Sequence, residues 1–153
     1  MQRSFDELGT PLSEVTFCVL DLETTGGTAA DGGITEIGAV KLHGGQRVGT
    51  FRTFVNPGHQ IPLQITRLTG IAQSMVDDAP PPDAVLPTFL EFLGDAVIVG
   101  HNVRYDLGYL NAAMERSGRP KLANRVLDTL RLARRLVRDE VPNCRLGTLA
   151  ARF

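Results

Sequence analysis

The sequence predicts an α/β domain, a mixed β-sheet with helices packed against it, and three observations carry that expectation. Three β-rich segments come first, helical segments then alternate with further strands, and no repeat or low-complexity tract interrupts the order. With 153 residues, 42% of them hydrophobic and 22% charged, the chain has the length and apolar content for one domain with a real core.

Residues 16–20 (TFCVL) form a β-rich apolar run that stops at Asp21. Residues 35–42 and 48–55 are β-rich segments joined by His43-Gly44-Gly45-Gln46, which makes a hairpin the simplest reading. After Asn56-Pro57-Gly58 the pattern becomes short and helical over residues 63–68. The prolines of Ala79-Pro80-Pro81-Pro82 then mark a helix start, and a helix is expected over about residues 83–93. Residues 96–100 read as a fourth, buried strand, and residues 105–117 as a helix stopped by Gly118 and Pro120. Another helix is expected over about residues 127–138. A last one begins at Leu146 after Val141-Pro142-Asn143 and reaches Phe153. Residues 1–14 are expected to be an N-terminal tail and residues 15–153 the domain.

Cys18 and Cys144 have neither CxxC spacing nor adjacent histidines, so neither a zinc site nor a disulfide framework is suggested, and a reducing compartment is expected. The N-terminus lacks the basic and apolar pattern of a leader, and residues 96–99 are far too short an apolar run to span a bilayer; a soluble cytoplasmic protein with no membrane partner is the expectation. Net charge is only −1, but residues 1–115 hold 6 Lys/Arg and 14 Asp/Glu while residues 116–153 hold 10 and 3. Such asymmetry points to nucleic-acid contact or, equally, to a solvated helix face or a surface that docks a partner protein.

The most specific signal is Asp21-Leu22-Glu23-Thr24-Thr25-Gly26. Period-two alternation puts both carboxylates on one face of the first strand while Leu22 points away. Two acids on one face repel, and hard oxygen donors of this kind select Mg²⁺ or Mn²⁺. A polar strand end with two solvated acids is the alternative for any D-x-E; the added Thr-Thr-Gly gives five specified positions, with a chance occurrence on the order of 10⁻⁴ in a chain of this size. In open α/β sheets ligands gather at the carboxyl ends of strands. Asp21 and Glu23 end the first strand and His101 to Asp106 follow the fourth, so if those strands are neighbours three carboxylates converge on one cleft.

At these residues the chain resembles the DEDD (histidine-type, DnaQ-like) family of 3′ to 5′ exonucleases, which have an RNase H-like fold. His101-Asn102-Val103-Arg104-Tyr105-Asp106 looks like the family's second motif, and Leu68-Thr69-Gly70-Ile71 resembles the segment lining the terminal nucleotide. Leu127-Asp128-Thr129 and Leu146-Gly147-Thr148-Leu149-Ala150 fit later helices, so the resemblance runs from about Val15 to the last residue.

The resemblance implies that Asp21 bridges two metal ions, that Glu23 ligates one of them and meets the terminal 3′ hydroxyl, and that Asp106 holds the second. Two divalent ions can activate water and stabilise a leaving 3′ oxygen, and the products would be nucleoside 5′-monophosphates. Leu22, Thr24, Leu68, Thr69, His101, Asn102 and Tyr105 are then the nucleotide-binding candidates. Thr24 would offer its backbone, and Leu68 and Tyr105 apolar and aromatic surface for splayed bases. Core packing is the competing role for Leu68 and Tyr105, and a satisfied structural group that for His101. Asp128 is expected to be a helix N-cap or a partner of the site, not a metal ligand. His43 and His59 are expected at the surface.

One part of the family pattern is absent. Histidine-type members carry H-x-x-x-x-D shortly after the segment matched by residues 146–153, and no such motif follows here. The resemblance assigns a general base and a fourth acidic ligand to it, and general bases contribute ~10² to 10⁴ in rate. The expectation is a domain incomplete at its C-terminus, weakly active or inactive as it stands, belonging to something longer such as a fused nuclease or polymerase module. Two alternatives are a binding module that grips a single-stranded 3′ end of DNA or RNA without cutting it, and a protein-docking module.

Overall fold

In the computed structural model, which describes residues 9–153, strands β1 (Thr16–Thr24), β2 (Ile34–His43) and β3 (Gln46–Phe54) form an antiparallel meander. The β2–β3 connection is the two-residue turn Gly44-Gly45, with both residues at positive φ, the geometry whose twist matches paired strands. Two further strands, β4 (Val97–Gly100) and β5 (Val126–Asp128), add in parallel, giving the order β3-β2-β1-β4-β5. Among the described residues six α-helices accompany the sheet: α1 (Leu63–Thr69), α2 (Gln73–Val76), α3 (Pro82–Leu93), α4 (Arg104–Arg116), α5 (Thr129–Leu136) and α6 (Leu146–Arg152). The mixed sheet with flanking helices is the expected class. Of the predicted N-terminal tail, residues 1–8 lie outside the described residues, and Leu12–Glu14 forms a single 3₁₀ turn.

Two expectations need correction. β1 does not stop at Asp21 but continues through Thr24, because β2 pairs with it along its full length. The expected helix from residue 127 begins only at Thr129; residues 126–128 are a strand instead, recruited by parallel pairing with Ile98, Val99 and Gly100. A three-residue strand is too short to leave a periodic signature of its own.

The core lies on one face of the sheet. Cys18, Leu20 and Leu22 of β1 alternate into it and meet Val85, Leu86, Phe89 and Leu93 of α3 and Tyr109, Leu110, Ala113 and Met114 of α4. Phe89 is edge-on to Phe51 of β3, with ring centroids 5.5 Å apart. A smaller cluster of Ile61, Ile71 and Val76, with Ile65 and Phe54 against it, fixes α1 and α2 to the end of the sheet. Among the described residues no helix is long and apolar enough to cross a membrane.

Candidate active site

Alternation along β1 sends Cys18, Leu20 and Leu22 into the core and leaves Val19, Asp21 and Glu23 on the opposite face. Cross-strand register then places Glu36 of β2 directly opposite Glu23, and Gly38 opposite Asp21. Between Glu23 and Thr24 the register slips, so Thr35 is an extra residue on β2 and the strand pair kinks beside the acids, where bulges commonly re-aim side chains. Three carboxylates thus share one sheet face. Burial, followed by the Glu36 charge, raises the pKa of Asp21; burial, followed by the charges of Asp21 and Glu36, raises that of Glu23. Arg52, from β3, forms an ion pair with Glu36.

Asp106 reaches the same region from the core side. The pairing of β1 with β4 ends at Val19 and Val99, which leaves the later amides of β1 without a strand partner on that edge. The Leu22 amide donates to Asp106 Oδ1 at 3.1 Å, so the first turn of α4 caps the strand edge between Asp21 and Glu23. Only 6% of Asp106 is exposed. Burial pushes its pKa up to about 6, with the Asp21 and Glu23 charges adding to the rise and backbone hydrogen bonds opposing it. The donor set is therefore three oxygen acids that each hold protons too tightly, an environment relieved by a hard divalent cation.

β1 and β4 are neighbours and the three acids do gather at one end of the sheet. Among the described residues, however, no three acidic, histidine or cysteine side chains already stand as ligands around a single ion. The expected convergence is met by neighbourhood and not by a formed coordination sphere, because Asp106 is turned to the Leu22 amide and like charges repel.

The nucleotide-binding candidates fall into distinct environments. Leu22 has its side chain in the core and its amide bound to Asp106, so neither faces the open side. Thr24 is buried, and its hydroxyl oxygen accepts from the Gly26 amide at 3.2 Å and lies 3.1 Å from Tyr105 Oη. Leu68 is 80% exposed and Tyr105 45%, which rules out the core-packing role for both. α1, which carries Leu68, is seated against the turn after β1: a Cβ on Gly26 would lie 2.8 Å from Ile65 Cδ1. Thr69 bonds back to the Ile65 carbonyl and accepts the Ile71 amide, closing the end of α1.

His101 and Asn102 form the turn between β4 and α4. His101 Nδ1 lies 3.0 Å from Thr129 Oγ1, and the Thr129 hydroxyl donates to the Gly100 carbonyl. The histidine must therefore donate from Nδ1, which leaves Nε2 as an acceptor in the neutral ring. Asn102 has φ 63°, and among the described residues it is the one non-glycine at positive φ. Such conformations concentrate at functional turns, and asparagine tolerates them better than most residues. Its amide donates to Asp128 Oδ1, which also accepts from the Leu130 and Arg131 amides. Asp128 is thus the N-cap of α5 and a clamp on the second motif, as expected. His43, at the end of β2, and His59, in a loop, are at or near the surface.

Sequence reasoning missed Glu36, Arg52 and Tyr109. Glu36 and Arg52 become visible only once the hairpin register is known. Tyr109 sits one helical turn from Tyr105, a spacing that could have been read directly. Beyond His101 a groove of about 840 Å³ is lined by Arg134, Arg138 and Arg145 together with Asn143 and Cys144, with no carboxylate in its wall.

A strand-borne Asp-x-Glu thus stands beside a helix-borne aspartate on a mixed sheet of this order. The chain belongs to the exonuclease family: the model of the RNase T-type exonuclease domain, part of the DnaQ-like DEDD family, matches residues 18–153. Over 149 residues it is 54% identical to a Mycobacterium tuberculosis protein provisionally named a bifunctional exonuclease/endonuclease, covering 93% of this chain and 23% of that protein. Over 142 residues it is 42% identical to a PolC-type DNA polymerase III of Listeria monocytogenes, covering 93% of this chain and 10% of the polymerase. The chain therefore spans a quarter or less of these relatives.

Among solved structures, Escherichia coli exonuclease I in complex with a dT13 oligonucleotide superposes with a TM-score of 0.78 at 20% identity, covering 90% of this chain and 35% of that one; this likeness establishes the RNase H-like fold alone. Exonuclease X in complex with 5′-overhanging duplex DNA superposes with a TM-score of 0.61 at 30% identity, covering 79% of this chain and 64% of that one.

Proposed function

We propose that this domain binds the single-stranded 3′ end of a DNA or RNA strand and that, with a complete site, it removes nucleotides from that end as 5′-monophosphates. The observation that carries the reading is the Asp106–Leu22 hydrogen bond, which ties the second motif to the first so that Asp106 lies between Asp21 and Glu23. Asp21, Glu23 and Asp106 would hold Mg²⁺ or Mn²⁺, two ions in a complete site. When bound, such ions activate water and stabilise the leaving 3′ oxygen.

The chain's own residues supply positioning. Thr24 and Thr69 frame the terminal nucleotide, Leu68 and Tyr105 present apolar and aromatic surface to the last bases, and stacking of this kind tolerates any base. His101 Nε2 and the Asn102 side chain stand at the turn that opens into the arginine-lined groove, a path suited to the phosphates upstream of the 3′ end. Relatives in which a matching segment is a small part of a larger nuclease or polymerase support fusion to, or partnership with, such a module.

A second reading, 3′-end binding without cleavage, is favoured by one feature: Asp106 is held by the Leu22 amide, and among the described residues the acids form no ready coordination sphere. Incubating the chain with 3′- and 5′-labelled single strands in Mn²⁺ separates the two. Stepwise shortening from the 3′ end establishes the enzyme, whereas metal-dependent binding of free 3′ ends without shortening establishes the binding module. Binding indifferent to metal and to the 3′ end overturns both.

A further inference from the structure

Tyr109 is a buried phenol that the chemistry above does not use. It is 1% exposed, and its hydroxyl donates to the Gly27 carbonyl, in the turn after β1, at 3.2 Å. A Cβ on Gly32 would lie 2.8 Å from the Tyr109 hydroxyl, so the loop after β1 is closed tightly around it. The Tyr105 hydroxyl is 3.3 Å away, and the two rings are 5.0 Å apart.

Each hydroxyl has one proton, and this dictates the direction of the whole set. The Gly27 carbonyl can only accept, so Tyr109 donates to it. Tyr105 must then donate to Tyr109, and Thr24 to Tyr105. The Gly26 amide, which can only donate, closes the series on Thr24. The chain of bonds runs one way, from Gly26 N–H through Thr24, Tyr105 and Tyr109 to Gly27 C=O. It begins and ends on adjacent glycines whose φ values of 76° and 80° shape the turn after β1. Burial, followed by the hydrogen bond with Tyr105, pushes the Tyr109 pKa up to about 12, so the phenol keeps its proton and the direction holds through neutral pH.

We infer that Tyr109 is a positioning residue for the nucleotide pocket: through this one-way ring it holds the exposed Tyr105 ring and the Gly26–Gly27 turn in one arrangement and leaves the Tyr105 oxygen free only to accept. The inference rests on the 3′-end-binding reading for what the pocket holds. A substrate group meeting Tyr105 Oη must then be a hydrogen-bond donor, such as a sugar hydroxyl or a base N–H. Because Gly26 also seats Ile65, the same ring fixes the distance between Tyr105 and the wall formed by α1.

The test compares the wild type, Tyr105→Phe, Tyr109→Phe and the double variant. Phenylalanine preserves both rings and the core packing. Two quantities are measured: affinity for a fluorescent oligo-dT with a free 3′ hydroxyl in Mn²⁺, and hydrogen exchange of the Gly26 amide without nucleic acid. Each single variant is expected to bind about 3- to 10-fold more weakly, the size of one net hydrogen bond. The double variant should be no weaker than the weaker single, because members of one network are not additive. Gly26 exchange should accelerate in all three variants. Wild-type affinity in Tyr109→Phe, losses that multiply in the double variant, or unchanged Gly26 exchange overturns the proposal. Accelerated exchange in a protein that binds no 3′ end would overturn the functional reading while keeping the ring.

Discussion

The two acidic motifs reach the same end of the sheet from opposite environments. Asp21 and Glu23 stand on the open face of a strand that faces the core only through its alternate residues, and their proton affinity is raised first by partial burial, then by neighbouring charge, that of Glu36 on Asp21 and those of Asp21 and Glu36 on Glu23. Asp106 sits on the first turn of a core helix, nearly sealed from solvent, and its pKa is raised first by burial. Burial leads and neighbouring charge follows in both places; the difference is that Asp106 is nearly sealed, is shifted as far as about 6, and has backbone hydrogen bonds opposing the rise. Burial and neighbouring negative charge both disfavour the carboxylate, and either is relieved by a cation from outside or by a proton at lower pH.

Four substitutions break or sharpen this contrast. The largest effect is expected for Asp21→Ala, which should abolish the stabilisation that Mn²⁺ gives the wild type, about 2.7 kcal/mol at a hundredfold excess over Kd. In metal-free buffer it should melt no lower than the wild type, because one of several repelling acids is gone. Thermal melts with and without Mn²⁺ measure both, and a retained metal response removes Asp21 from the ligand set.

Asp106→Asn removes the nearly sealed charge and leaves the two strand acids in place. Asp106 binds its proton more tightly folded, with a pKa of about 6, than at its ordinary value of 3.8. Its contribution thus favours the folded state fully below pH ~4 and is lost as the pH rises through about 6. The asparagine oxygen still accepts the Leu22 amide and carries no charge, so the variant should match the wild type near pH 4 and melt several degrees higher at pH 8. The difference between 3.8 and about 6 sets a ceiling of ~3 kcal/mol. Melting curves that stay parallel across pH 4–8 would exclude Asp106 as the titrating group.

Asp128→Ala should cost about 1–2 kcal/mol, the loss of an N-cap together with the Asn102 clamp. Urea titration measures it, and a cost near zero would mean that the second motif's turn holds itself. The smallest effect is expected for Arg52→Ala, since its partner Glu36 is largely shielded but Arg52 itself is well exposed. Pairs with an exposed member contribute less than ~1 kcal/mol. A larger loss in the same titration would show that the three acids need Arg52 as a counter-charge even without metal.

Much of the site was legible along the chain because its parts are local. Asp21 and Glu23 two residues apart on a strand, and Tyr105 and Asp106 at the start of a helix, need only the period of one element to be placed. The β2–β3 hairpin was equally legible, since Gly44-Gly45 is a turn by its own backbone freedom. β5 was not, because three residues acquire strand character only from the neighbour they pair with.

By itself the sequence determined the α/β class, the order of the elements other than the short α2 and β5, and the two acidic motifs, which follow from residue type and short-range periodicity, while the family was legible through the resemblance those motifs carry. Only the tertiary structure decided that Leu22 gives its amide to Asp106, that Glu36 and Arg52 crowd the strand acids, that Leu68 and Tyr105 face solvent, and that Tyr109 closes a hydrogen-bond ring on Gly27. Each of these joins groups far apart along the chain, and such pairings are set by strand register and helix packing, which bring distant backbone and side-chain atoms within hydrogen-bond reach.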